Sequence, residues 1–274
     1  MFDPMAKKYP YPEDTGAHYL VVKKDDGTVF DRDYPYVDRS PSMRIRQALI
    51  RAVIFLIVFP VLRIRLGLRI KGRENIRAHR EEFRRGVISV SNHVHLWDYL
   101  SVMRAAFPRK TNVLVWAKNV RGENAKLIRL VGGIPLPEGD VHATAAMTKQ
   151  TEELLRGGWL HIYSEGSMWE FYRPVRPFKP GAAHFACRWG LPVLPMAFSY
   201  RKPGFIRGRI FRQTATFTLS IGEPLRPDAS LPFAERRRDL TVRSHEAVCR
   251  LAGIDPAEII YPPVYDDSKR VDYY

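Results

Sequence analysis

Between residues 86 and 222 the chain alternates between two hydrophobic periods. Runs that are apolar throughout, or at every second position, predict strands at 86–91, 111–117, 159–164, 191–200 and 214–222. Segments with apolar residues three and four apart predict helices at 96–107, 123–131, 141–158 and 180–190, and a last, basic one over Phe233–Ala252. The 141–158 segment closes on a glycine pair, which suits a left-handed C-cap. Strands alternating with helices predict an α/β domain with a central mixed sheet flanked by helices.

Upstream the pattern changes. Residues 1–16 are rich in Pro and Tyr and read as an irregular arm. Two short apolar runs around Asp26-Gly27, within 18–32, carry a hairpin signal, and 31–41 is a polar linker with two prolines. Ser40 or Ser42 can cap a helix that runs to Phe59, where Pro60 would stop or kink it. Its strictly uncharged run, 52–62, is 11 residues long. A helix needs about 20 such residues to span a bilayer. Arg44, Arg46, Arg51, Arg63, Arg65 and Arg69 crowd both ends. This pattern predicts an amphipathic helix lying among lipid headgroups, its guanidinium groups reaching phosphates; a core helix with basic flanks is the plainer reading. The domain division is an arm and hairpin over 1–42, a membrane-associating helix over 43–66, and the α/β domain over 67–274.

Charge adds a partner. Lys and Arg number 44 against 29 Asp and Glu, a net charge of +15, which favours a polyanion such as nucleic acid or an anionic bilayer. No basic helix with interleaved aromatics is present, and the basic run 235–245 reads as a solvated helix face, so nucleic acid is not an expected partner. Anionic membrane lipids are. Cys187 and Cys249 stand alone, without the paired spacing of a zinc site or a disulfide framework. The first residues lack the basic start and apolar run of a secretory signal, so the expected location is the cytoplasmic face of the cell membrane, monotopic or peripheral.

The chemistry centres on 90–100, VSNHVHLWDYL, directly after a strand. Loops at the carboxyl ends of strands are where α/β proteins place their sites. A helix starting near Leu96 puts Asp98 in its first turn, where its carboxylate can reach back to His93 and fix one tautomer. The other ring nitrogen is then open to take a proton from a hydroxyl. Asn92 can support the loop through its amide. Taken alone, a His and an Asp five residues apart are as easily a structural pair.

Three further blocks change that. SNHVHLWD, then VGGIPLP (131–137), YSEGSMW (163–169) and FKPGAAHFACRWGLPVLPMAF (178–198) resemble, in order and spacing, the four blocks of the glycerolipid acyltransferases, whose best-known members acylate lysophosphatidic acid. The resemblance covers about residues 45–225. It implies transfer of a fatty acyl group from an acyl thioester, of coenzyme A or acyl carrier protein, to the hydroxyl of a lysophospholipid in phospholipid biosynthesis. The first acceptor it suggests is 1-acyl-glycerol-3-phosphate, giving phosphatidic acid. No cofactor is implied beyond the thioester co-substrate. His93 is implied as general base and Asp98 as its orienting partner, as in a Ser-His-Asp triad without the serine. Glu165, Gly166 and Ser167 fall in the acceptor-binding block, and the oxyanion donors are expected near Gly166 or in the Gly132-Gly133 turn.

Two positions depart from the family. Its second block usually ends in Arg and its third carries Arg after Thr, where this chain has Glu138 and Met168. Arg173, Arg176 and Lys179 are the expected substitutes for phosphate binding. Another lysolipid or an amino-lipid acceptor stays open for the same reason, as does a non-catalytic lipid-binding relative, against which His93 and Asp98 argue. A metal-hydrolase reading of His93-x-His95-x-x-Asp98 meets two obstacles: the Asp sits one residue late and no His follows it. Trp97, Tyr99, Trp116 and Phe171 are candidates for lining an acyl tunnel.

Overall fold

Seven strands hydrogen-bond into one sheet in a computed structural model that describes residues 2–4, 11, 12, 14, 16–18 and 25–256. They are β1 (Arg69–Lys71), β2 (Val87–Val90), β3 (Asn112–Trp116), β4 (Gly133–Leu136), β5 (Trp159–Ile162), β6 (Val193–Arg201) and β7 (Thr216–Ile221). The order across the sheet is β1-β7-β6-β2-β5-β3-β4. The five strands from β6 to β4 run parallel; β7 is antiparallel to β6, and β1 is parallel to β7.

Helices cover both faces, and the side-chain alternation of the strands divides the core accordingly. Along β6, Leu194, Met196 and Phe198 enter one apolar cluster, while Val193 and Ala197 enter the other. On β2 every residue is buried, which is why its sequence reads as a continuous apolar run. One face is closed by Gly181–Trp189 and Phe233–Ala252, each ended by a left-handed glycine. All the strands expected between 86 and 222 are present, and each expected helix lies within two or three residues of its place. β4 forms from the apolar stretch of the second block.

The sequence pattern misses β1 and the short helices Arg73–Ala78 and Arg80–Phe83. Their residues are mostly charged, and β1 is a strand because β7 offers it a parallel edge. Of the expected hairpin over 18–32, residues 19–24 lie outside the described residues, and 25–31 contain no strand.

The N-terminal helix needs a correction. It does not stop at Phe59 but runs continuously over Pro41–Arg65, 25 residues, long and apolar enough by length and composition to cross a membrane. Ser40 caps it, accepting the Met43 N–H, and Pro41 opens the first turn. The helix survives Pro60 because a π-turn, Ile54–Val58, precedes it, with the Phe59 N–H bonded to Ile54 O. The wider turn accommodates the missing donor and the bulk of the ring. One side packs Ile54, Phe59 and Leu62 into the core beside Phe83, Trp159 and Met196. The other side leaves Leu49, Leu56, Ile57 and Ile64 about 60% exposed.

That asymmetry is measurable. Leu62→Ala should lower unfolding free energy by about 3–5 kcal/mol, whereas Leu56→Ala should change it by less than about 0.5 kcal/mol. Denaturant titration of the two variants in detergent checks this; equal losses would mean that the helix is not docked by one side.

Candidate active site

β2 delivers Asn92 and His93 to the carboxyl end of the parallel strands, and the helix Asp98–Ala106 begins five residues on. Asp98 occupies the first turn of that helix and is almost fully buried. Its Oδ2 lies 3.1 Å from His93 Nδ1 and also accepts the Val94 and His95 N–H groups at 2.7 and 2.9 Å. Two backbone donors at the amino end of a helix hold this carboxylate aimed at the imidazole. With Nδ1 donating to Asp98, Nε2 of the neutral ring is the acceptor. The ring is partly exposed and stacks on Tyr163, centroids 3.7 Å apart. His95 faces another way, its Nδ1 accepting the Trp97 N–H.

Glu165 holds this loop from below. Its Oε2 accepts the His93 N–H at 3.1 Å and the Arg176 guanidinium at 2.9 Å, and its Oε1 accepts the Arg176 backbone N–H at 2.9 Å. Arg176 is fully buried. It also donates to Ser167 Oγ at 2.7 Å and to the Ser167 carbonyl, and it lies 4.4 Å over the Trp169 ring. Asn92 is likewise buried, its amide bonded in both directions to the backbone of Phe198 on β6.

Asn92 supports the loop through its amide, as expected, and two of the expected phosphate and acceptor ligands, Glu165 and Arg176, are turned inward as well. The polar groups of Asn92, Glu165 and Arg176 are directed at the protein's own loops, because burying a charge or an amide demands partners that these loops supply. Ser167 Oγ donates to Ala17 O and accepts from Arg176. Arg173 faces Asp3 at 3.9 Å. Lys179 is exposed and lies against Gly166, where an added Cβ would stand 2.8 Å from its ammonium. Gly166 itself has φ +83°, a conformation that only glycine adopts without strain.

The expected oxyanion donors also change. Gly132 and Gly133 begin β4, at the opposite end of the parallel strands from His93. The Gly166 N–H is already bonded to Tyr163 O at 2.9 Å. Of the tunnel candidates, Trp97 and Phe171 line a cavity. Tyr99 is fixed through its hydroxyl to Thr111 and the Val131 carbonyl, and Trp116 stands on the β3 side under His18.

Four features escape the sequence. The arm crosses the β3–β5 side of the site: Ala17 O accepts from Ser167 Oγ and Trp169 Nε1, and His18 stacks on Trp116 with centroids 3.8 Å apart. Burial and the cations Lys179 and Arg176 lower the His18 pKa to about 4. Glu138 is exposed and accepts from the Trp116 indole N–H. Glu170 is raised to about 7 by burial and by Asp98. Finally, His161 sits under the site between Ser89 and Ser91 and is lowered to about 3 by burial and by His93. Apart from Glu138, which stands out where the second block usually has Arg, nothing local marks these residues; their partners lie elsewhere in the chain.

The fold and site define a class: an α/β domain with a carboxylate-oriented histidine open at the carboxyl end of its parallel strands. Residues 67–199 match the model of the Acyltransferase family. A solved structure of similar fold is the 1-acyl-sn-glycerophosphate (LPA) acyltransferase PlsC from Thermotoga maritima. It is 19% identical, with a TM-score of 0.47 over 79% of this chain and 84% of that one. No curated protein sequence matches the chain significantly.

Two outcomes follow from the buried groups. Arg176→Met leaves a buried carboxylate without its counter-charge and should lose about 3–5 kcal/mol of stability. Much of that should return in the double variant with Glu165→Gln, as read by denaturant unfolding; a neutral single variant would mean that Arg176 is not structural. His161 has the opposite proton preference to water: the unfolded chain protonates it below its usual 6.5, while the fold keeps it neutral to about 3. In that window the unfolded state binds more protons, so stability falls as pH drops, by up to about 1.4 kcal/mol per pH unit. Glu170, with a raised pKa, gives a slope of the other sign, so the quantity to measure is wild type minus His161→Gln. That difference should shrink on acidification; a flat difference would exclude His161 as an acid-sensitive group.

Proposed function

We propose that the chain moves a fatty acyl group from an acyl thioester to the hydroxyl of a lysophospholipid at the cytoplasmic surface of a membrane. The observation that carries this is the His93 ring, held by Asp98 through Nδ1, with Nε2 presented at the strand ends. In the proposed step Nε2 takes the acceptor's hydroxyl proton as that oxygen attacks the thioester carbonyl. A C–O bond forms, the tetrahedral intermediate collapses, the C–S bond breaks, and the imidazolium returns its proton to the departing thiolate. Asp98 stabilises the imidazolium, and no acyl-enzyme is needed.

The donor is a thioester of coenzyme A or acyl carrier protein, and the first acceptor is 1-acyl-glycerol-3-phosphate, giving phosphatidic acid. Lys179, exposed beside Gly166, is the cation of the expected set best placed to meet an incoming phosphate. A second acceptor class is favoured by one observation: exposed Glu138 presents a carboxylate on the same side, which suits an amine-bearing headgroup better than a phosphate alone. The exposed apolar side of Pro41–Arg65, bordered by arginines, supports association with anionic lipids.

The test is thiol release from oleoyl-CoA in detergent over a panel of lysophospholipids, some with and some without an amino headgroup, for wild type and His93→Ala. Acceptor-dependent release should fall about 10²–10⁴-fold in the variant. Near-normal turnover in His93→Ala would overturn the mechanism, and preference for amine-bearing acceptors would move the specificity to the second class.

A further inference from the structure

On the β6–β7 side of His93, a cavity of about 310 Å³ opens between the end of the N-terminal helix and the turn joining β6 to β7. Its apolar wall includes Trp97, Phe171 and Phe217, and Arg65 and Arg212 stand at its edge. Both arginines are exposed, and neither has an ion-pair partner among the described residues. Gln213 also lines the cavity, and both of its amide atoms are buried without a hydrogen-bond partner among the described residues. A buried amide left unpaired on both sides is rare enough to need an explanation, and a ligand supplies one.

Three more observations bear on what that ligand is. Phe171 and Arg212, the two non-glycine residues with positive φ among the described residues, both line the cavity, and backbone strain of this kind gathers at binding sites. The β6–β7 turn exposes Phe205, Ile206, Ile210 and Phe211 and carries Arg207, Arg209 and Arg212. Arg207 ties the turn to the helix end by donating to the carbonyls of Ile64 and Arg63. The turn therefore continues the exposed apolar side of Pro41–Arg65, with the cavity between them. Apolar knobs ringed by arginines suit a bilayer surface, where the guanidinium groups meet phosphates and the apolar side chains meet acyl chains.

We propose that this cavity binds the phosphate headgroup of an anionic bilayer phospholipid. Arg65 and Arg212 supply the charge, Gln213 the hydrogen bonds, and Trp97, Phe171 and Phe217 the wall for the upper acyl chain. The site lies beside the catalytic pair and holds one lipid of the membrane, so the chain docks by two elements, the helix and the β6–β7 turn, with a specific headgroup between them.

Trp97 reports on the cavity directly. The full chain in neutral detergent is titrated with phosphatidylglycerol carrying brominated acyl chains, and tryptophan fluorescence is followed. Saturable quenching is expected, absent in Trp97→Phe and much weaker with brominated phosphatidylcholine. Arg65→Gln/Arg212→Gln should weaken binding roughly 10- to 30-fold. Gln213→Leu, which leaves the charge unchanged, should also weaken it, and this separates a built site from a merely basic surface. Unfolding midpoints of the variants are compared with wild type to establish that they fold. Equal quenching by both lipids, or binding unchanged in the arginine and glutamine variants, would overturn the site. Displacement by soluble sn-glycerol 3-phosphate at concentrations as low as the lipid requires would assign the cavity to a soluble phosphate ester and overturn the lipid reading. The readout is binding, so its failure would leave the proposed transfer reaction standing, and failure of that reaction would leave this site standing.

Discussion

The buried ion pair between Glu165 and Arg176 is the constraint on which the geometry at His93 depends. Two charges removed from water are tolerable only when their remaining lone pairs and protons are all directed at partners. Here one carboxylate gathers the Arg176 side chain, the Arg176 backbone and the His93 N–H. The guanidinium also donates to the Ser167 hydroxyl and carbonyl. The loop after β5 and the loop after β2 are thus joined at a point that cannot shift without stranding a charge. Asn92, one residue before the histidine, joins the same loop to β6. His93 is positioned from three neighbouring strands, and Asp98 then has only to orient its ring.

This arrangement leaves the two sides of the histidine unequal. Toward β3 and β5 the N-terminal arm lies over the site, with Ala17 bonded to the third block and His18 stacked on Trp116. Toward β6 and β7 the surface is open, apolar and basic, and it is continuous with the exposed side of the long helix. A molecule arriving from a bilayer would meet the second side first.

The helix itself shows how local rules combine. Proline at position 60 would ordinarily end a helix, and read alone it does. The π-turn just before it lets the chain pass, and the continuation places Leu62 in the core and Arg65 at the edge of the cavity. One widened turn therefore both docks the helix and supplies a wall of the proposed lipid site.

Periodicity determined the α/β layering, because strands buried on both faces must be apolar throughout and their covering helices amphipathic. Spacing determined the His93–Asp98 pair, since five residues across a strand-to-helix loop bring a first-turn carboxylate back to the ring. Blocks such as SNHVHLWD and YSEGSMW located the second loop of the site. What the sequence by itself left undecided was the use of each polar side chain. Glu165, Arg176 and Asn92 have the chemistry of ligands, and only their burial against distant backbone made them supports. Gly132 and Gly133 have the chemistry of an anion turn, and only strand direction put them at the wrong end of the sheet. The sides occupied by Ala17 and His18, and the meeting of Arg65 with Arg212 and Gln213, rest on residues about a hundred or more positions apart. Such contacts leave no local periodicity, because the free energy that selects them belongs to packing and desolvation in the assembled fold.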